Sequence, residues 1–288
     1  MTESEISAAE LDEFRKQYGV CYSIGDFTPT VCAIAGMRAP KQCGGVPSEN
    51  VLGFASKELN GGKIEKMLLF CPDAIGDVQR KRFPELFGKV EKISDVFLPG
   101  VSVMQCVTPV CYATIFSGAS PSVHGIRTYE KPVLKIETLF DVFAEAGKNV
   151  AIVAMNECSI DMIFRGRAVD YYSLRTDEAI FRTSMKLLSD SNYDVIVFYM
   201  SDYDHFGHHT DVFSEKSVEQ LHLAVERFEI GCREADRVWS RFNRLIAFVP
   251  DHGQHTVHDH LGTHGTHHDN IPEDMLVNHY YRIRKGDR

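Results

Sequence analysis

The stretch YDVIVFYMSD, residues 193–202, is an apolar run of strand length that ends on an aspartate. A strand with one wet face alternates polar and apolar residues, whereas a near-continuous run is what a strand covered on both faces requires. KMLLFCPD at 66–73, KNVAIVAMN at 148–156 and RLIAFVPD at 244–251 read in the same way. Between them lie helical patterns, IETLFDVFAEAG at 136–147, closing on Gly147, and VEQLHLAVERFEIGCREADRVWSRF at 218–242. This alternation predicts an α/β fold: a three-layer domain with a largely parallel central sheet flanked by helices.

Three of the four runs end on a carboxylate: Asp73, Asp202 or Asp204, and Asp251. Ligands of open α/β sheets bind outside the carboxyl ends of the strands, so these side chains are predicted to converge there. Any one of them could simply start a turn. The histidines change that weighing, because ten of the thirteen fall in two short stretches. His205, His208 and His209 lie in SDYDHFGHHT, and His252, His255, His258, His260, His264, His267 and His268 lie in PDHGQHTVHDHLGTHGTHHDN. Imidazole with carboxylate and no thiolate pair suits a catalytic zinc, manganese or iron better than a closed structural zinc site. The competing reading is a histidine-rich metal buffer without fixed geometry.

The 288 residues are 44% hydrophobic and 25% charged, which excludes wholesale disorder, collagen and a disulfide miniprotein. Thirty-one basic against forty acidic side chains give a net charge of -9, so polymeric nucleic acid is not an expected partner. The first twenty residues carry acids where a secretory signal would be basic, and no run reaches transmembrane length. A cytoplasmic protein without a membrane partner is expected. Eight cysteines without CxxC spacing are expected to be reduced. Residues 7–19 read as a short amphipathic helix, and 20–62 are rich in Gly, Pro and Cys.

Residues 106–126, CVTPVCYATIFSGASPSVHGI, complete a set of motifs that resembles the alkaline phosphatase superfamily, and within it the type I phosphodiesterase and nucleotide pyrophosphatase branch. Phosphonoacetate hydrolases and cofactor-independent phosphoglycerate mutases are relatives of that branch. The resemblance runs from about Asp73 to the C-terminus and implies an alkaline phosphatase-like fold and a site for two divalent ions, zinc preferred and manganese possible. CPDAIGD resembles the first ligand motif and makes Asp73 a ligand. SDYDHFGHH resembles the Asp-x-x-Gly-His motif, giving Asp204 and His208, and PDHG resembles the Asp-His-Gly motif, giving Asp251 and His252. GTHG matches the last ligand motif and gives His264.

The family register places the nucleophile at Thr108, with Ser102, Thr114 and Ser117 as the nearest alternative hydroxyls. The implied reaction is hydrolysis of a small anionic phosphate ester through a covalent phospho-threonine. After His-Gly-Ile the branch usually has an asparagine, where this chain runs Arg127, Thr128, Tyr129; Arg127 and Tyr129 are the candidate substrate-binding residues. A diesterase or nucleotide pyrophosphatase is the preferred form. The alternatives are a phosphomonoesterase, a phosphonate or sulfate ester hydrolase, and a non-catalytic metal-binding protein. A single catalytic domain over 1–288 is expected, with 1–62 as an N-terminal extension packed on it and 155–190, carrying Arg165, Arg167 and Arg175, long enough to form a small cap.

Overall fold

The computed structural model describes residues 12–13, 16–20, 22–260 and 262–287. Much of the helix expected over 7–19 lies outside the described residues. Eight strands form one sheet: β1 Tyr22–Ser23, β2 Lys66–Pro72, β3 Val96–Val101, β4 Val150–Met155, β5 Asp170–Leu174, β6 Val195–Met200, β7 Arg244–Phe248 and β10 Leu276–Arg284. Their order is β1-β3-β10-β7-β2-β6-β4-β5, and β10 alone runs antiparallel to its two neighbours. The remaining strands, β8 His255–Asp259 and β9 Gly262–Thr266, pair as a separate antiparallel hairpin. This is the largely parallel sheet flanked by helices that the alternation predicted.

The four apolar runs are β2, β4, β6 and β7, and they are neighbours at the centre of the sheet. Successive side chains point to opposite faces, so each run feeds two cores. On one face Met67, Leu69, Val195, Val197, Leu245 and Ala247 pack under the helices Phe27–Ala35 and Thr108–Ser117. Across the sheet Leu68, Phe70, Ile196, Phe198, Ile246 and Phe248 pack under the helices Asp177–Asp190 and Glu215–Val238, with the Phe70 and Phe198 rings stacked at 4.7 Å.

Residues 22–62 pack against the rest of the domain: Ile24, Phe27 and Val31 belong to the same core as the helix Thr108–Ser117, and the Thr28 hydroxyl donates to the Ile115 carbonyl at 2.7 Å. One expectation about the periphery is corrected. Residues 155–190 do not form a cap, because they supply the edge strand β5 and the helix Asp177–Asp190 that lies on β6. Their arginines are drawn into the framework. Arg165 is held by Asp161 and Ser173, and Arg167 donates to the carbonyls of Leu134 and Ile136 and to the Thr138 hydroxyl. Arg175 is exposed just beyond β5.

Candidate active site

Because β7, β2 and β6 are adjacent and parallel, their carboxyl ends deliver three aspartates to one place. Asp73 follows β2 directly, and Asp251 lies three residues beyond β7. Asp204 lies in the first turn of the helix Asp202–His209, which starts two residues beyond β6, with His208 one turn further along the same face. The three carboxylates and their imidazoles form two sets of donors: Asp73, Asp251 and His252, all buried, and Asp204, His208 and His267. The sets adjoin, with the His252 and His267 rings 4.1 Å apart.

The hydrogen bonds of the three imidazoles fix which nitrogen faces inward. His252 Nδ1 donates to the Gly253 carbonyl at 2.9 Å, His208 Nδ1 to the Gly265 carbonyl at 2.9 Å, and His267 Nδ1 to the Cys106 carbonyl at 2.5 Å. In its neutral form each ring so bonded turns the Nε2 lone pair toward the carboxylates, where a cation would meet it. His252 Nε2 lies 3.4 Å from Asp73 Oδ1 and 3.3 Å from Asp251 Oδ2. In the second set His208 Nε2 is 3.3 Å and His267 Nε2 3.5 Å from Asp204 Oδ1, and the two Nε2 atoms are 3.1 Å apart. Two atoms each about 2.1 Å from a shared tetrahedral zinc stand about 3.4 Å apart, so these separations are those of ligand atoms around a common cation.

A test of that fit comes from unmet hydrogen-bonding capacity. Asp73 Oδ1, Asp204 Oδ1, Asp251 Oδ2 and His252 Nε2 are all buried without a hydrogen-bond partner, and all four point into the two sets. Buried polar atoms are rarely left so, and acceptors converging on acceptors are repulsive unless a cation lies between them. Electrostatics agree. Burial, then the Asp251 and Asp204 charges, push the Asp73 carboxyl well above its ordinary range, and burial does the same to Asp251. For Asp204 burial acts upward but is outweighed by His208 and His267, which hold it below the usual carboxylate range. His208 is pushed up to about 9 by Asp204, and His252 is lowered by burial. Each set has the carboxylate and imidazole donors to hold one divalent cation.

Thr108 is the first residue of its helix and is 4% exposed. Its hydroxyl lies 3.4 Å from Asp73 Oδ2, and the helix N-terminus favours negative charge there. The other hydroxyls are committed elsewhere: Ser102 donates to the Asp251 carbonyl, Thr114 to the Val110 carbonyl, and Ser117 to the Ala113 carbonyl. Cys111, one turn on from Thr108, is buried, and burial pushes its thiol well up, so it is an inert core side chain. His124 is neutral, brought down to about 4 by burial, and shapes the turn by accepting from the Ile126 amide.

His264 is not part of either set. It sits on β9, opposite Val257, and its Nδ1 faces Asp259 at 3.8 Å. The position expected of it is filled by His267, just past the end of β9. The hairpin explains the exchange: Gly265 lies so close to the helix Asp202–His209 that a Cβ on it would stand 2.9 Å from the Gly207 carbonyl carbon. That approach brings the Gly265 carbonyl to His208 and the chain beyond it into the site. Arg127 and Tyr129 are exposed on the segment after Gly125, with the Lys131 ammonium 5.3 Å from the Tyr129 ring centroid. Sequence reasoning also missed Tyr199, the fifth residue of β6, whose buried hydroxyl donates to Asp73 Oδ2. Its place in an apolar run gave no signal of that role.

A mostly parallel α/β sheet flanked by helices, with paired Asp/His donor sets at its carboxyl edge, is an alkaline phosphatase-like fold. Solved structures with this fold include phosphonoacetate hydrolase from Sinorhizobium meliloti, at 18% identity and a TM-score of 0.50 over 70% of this chain and 60% of that one. Human ectonucleotide pyrophosphatase/phosphodiesterase 5 matches at 16% identity and a TM-score of 0.52, over 67% and 58%. The C-terminal periplasmic domain of the phosphoethanolamine transferase EptC from Campylobacter jejuni matches at 14% identity and a TM-score of 0.54, over 76% and 78%. This chain thus spans about three fifths of the length of the first two. No protein-family model and no curated protein sequence matches it.

Proposed function

We propose that the chain is a two-metal hydrolase of phosphoric esters with Thr108 as nucleophile, acting on diesters or nucleotide pyrophosphates through a covalent phospho-threonine. The observation that carries this reading is the Thr108 hydroxyl, 3.4 Å from Asp73 Oδ2 and beside two Asp/His donor sets. Two divalent ions, zinc in preference to manganese, would when bound favour ionisation of that hydroxyl and stabilise the leaving oxygen. The chain itself positions the reaction. Tyr199 fixes Asp73, the helix beginning at Thr108 supports charge developing on its oxygen, and burial keeps the hydroxyl from bulk water.

Substrates would be small phosphate esters met at the rim by Arg127 and Tyr129. A dianionic monoester calls for guanidinium groups, and the framework roles of Arg165 and Arg167 remove two of them, which favours the monoanionic diester. Murine ectonucleotide pyrophosphatase/phosphodiesterase 5 has been solved with AMP as an inactive threonine-to-alanine variant, which accords with a threonine at the centre of the chemistry. Seven free cysteines among the described residues support a reducing, cytoplasmic setting. The test is turnover of bis-p-nitrophenyl phosphate against p-nitrophenyl phosphate by zinc-reconstituted protein, with Thr108→Ala alongside. Diester preference and a variant that keeps its zinc but loses turnover are expected. Monoester preference would overturn the substrate class, and full activity of the variant would overturn the nucleophile.

A further inference from the structure

A third group of donors lies outside both sets: His255 at the start of β8, Asp269, and Asp274 in the short helix Pro272–Met275. Asp274 is fully buried and its carboxylate is saturated. Oδ1 accepts from His255 Nδ1 at 2.8 Å, and Oδ2 accepts from the amides of His268 and Asp269 at 3.0 Å each. A buried carboxylate on Nδ1 leaves His255 Nε2 as the free nitrogen and aims it, the arrangement that orients imidazoles at metal centres. It is aimed at Asp269 Oδ2, 3.6 Å away. That is too long for a hydrogen bond, and close to the edge of about 3.4 Å expected between two ligands of one tetrahedral zinc. The separations in the two sets of the candidate active site, 3.1 to 3.5 Å, are of the same kind.

We propose that His255 Nε2 and Asp269 hold a third, exchangeable divalent cation of the zinc type, with Asp274 orienting the imidazole and water completing the shell. The Asp269 side chain is 65% exposed and His255 is 15% exposed, so this ion is held more weakly than the buried pair and is reached from solvent. It ties the start of β8 to the turn at 267–274. Asp274 grips that turn through the amide of His268, the residue next to His267, so filling the third position stiffens the turn that delivers the His267 imidazole.

Chelated full-length protein titrated with Zn²⁺, read by calorimetry and by metal content after dialysis, is expected to take up two tight ions and a weaker third. Asp269→Asn, an exposed change that spares the fold, is expected to weaken the third ion roughly tenfold or more while both tight ions remain. His255→Gln should do the same, and a His258→Gln/His260→Gln variant should not. A wild-type capacity of two ions overturns the site. So does a third ion that survives Asp269→Asn or disappears with His258 and His260, which would mark an adventitious ion only. Loss of the tight ions themselves would instead count against the proposed function, so the two failures are distinguishable.

Discussion

Replacing His267 by alanine sets the motif match of the sequence against the geometry of the fold, because the GTHG match selects His264. The His267 side chain is 3% exposed, with Nε2 3.5 Å from Asp204 Oδ1 and 3.1 Å from His208 Nε2. Alanine leaves Asp204 one imidazole where it had two, and strips the Cys106 carbonyl of its donor. Breaking a buried charged pair by deleting one partner costs about 3–5 kcal/mol. At about 1.4 kcal/mol per decade, the ion in that set should bind roughly a hundredfold to a few thousandfold more weakly. His264→Ala removes only a contact 3.8 Å from Asp259, with side chains 24% and 39% exposed, worth about 0–1 kcal/mol. After chelation and reloading with zinc, metal content and bis-p-nitrophenyl phosphate turnover are measured for both variants. His267→Ala should hold one tight ion fewer and lose activity, and His264→Ala should match wild type. A tight ion lost from His264→Ala and kept by His267→Ala would refute the assignment.

Tyr199→Phe removes the hydroxyl that fixes Asp73, and a hydrogen bond to a charged group is worth about 1.5–3 kcal/mol. Turnover should fall roughly tenfold to a hundredfold and the melting temperature by several degrees, and an unchanged rate would mean Asp73 is held by other contacts. Gly253→Ala places a Cβ 2.0 Å from the Glu273 carbonyl oxygen and 3.1 Å from Gly76 Cα, backbone atoms that cannot swing aside. Overpacking of about 1–3 kcal/mol should lower the melting temperature by several degrees, and a variant as stable as wild type would show that the loops after β2 and β7 do not meet so closely. The chelated protein should lose stability as pH rises. The His208 value of about 9 lies above its unfolded value, so its contribution is full below about pH 6.5 and is lost through pH 9. The raised Asp73 and Asp251 carboxyls act with the same sign. Melting temperatures that climb over that range in the chelated protein would contradict it.

The centre of the fold was legible because both faces of β2, β4, β6 and β7 are buried, and continuous apolar runs are an unambiguous signal. The flanks were not. β3 carries Pro99, β10 mixes Asn278, His279, Arg282 and Arg284 among its apolar residues, and β1 is two residues long, so none shows a clean period. β10 is nonetheless internal, and two of its polar side chains find buried partners: His279 bonds the Pro250 carbonyl and the Asn278 amide donates to Asp77. Residues 155–190 were read as a cap on their length, and β5, DYYSL, gave no counter-signal because it is a short edge strand with only partly buried side chains.

The aspartates were readable because a strand end fixes where the next residue points; the third imidazole was not, because it comes from a hairpin. Along β9 the pleat turns successive side chains to opposite sides, so a shift of one or three residues changes which histidine faces inward. In THGTHH, spacing alone does not decide between His264 and His267. What decides is the cross-chain hydrogen bonding: the Gly265 carbonyl must meet His208 Nδ1, and the Cys106 carbonyl must meet His267 Nδ1. Those carbonyls also set the tautomers, and with them the direction of every inward lone pair. With its rings neutral, the resulting cluster has three carboxylates and three imidazoles whose donors are spent on the backbone and whose acceptors face one another. A fold that leaves four such atoms buried and unsatisfied is electrostatically incomplete as a protein alone, and positive charge in each donor set is the simplest completion.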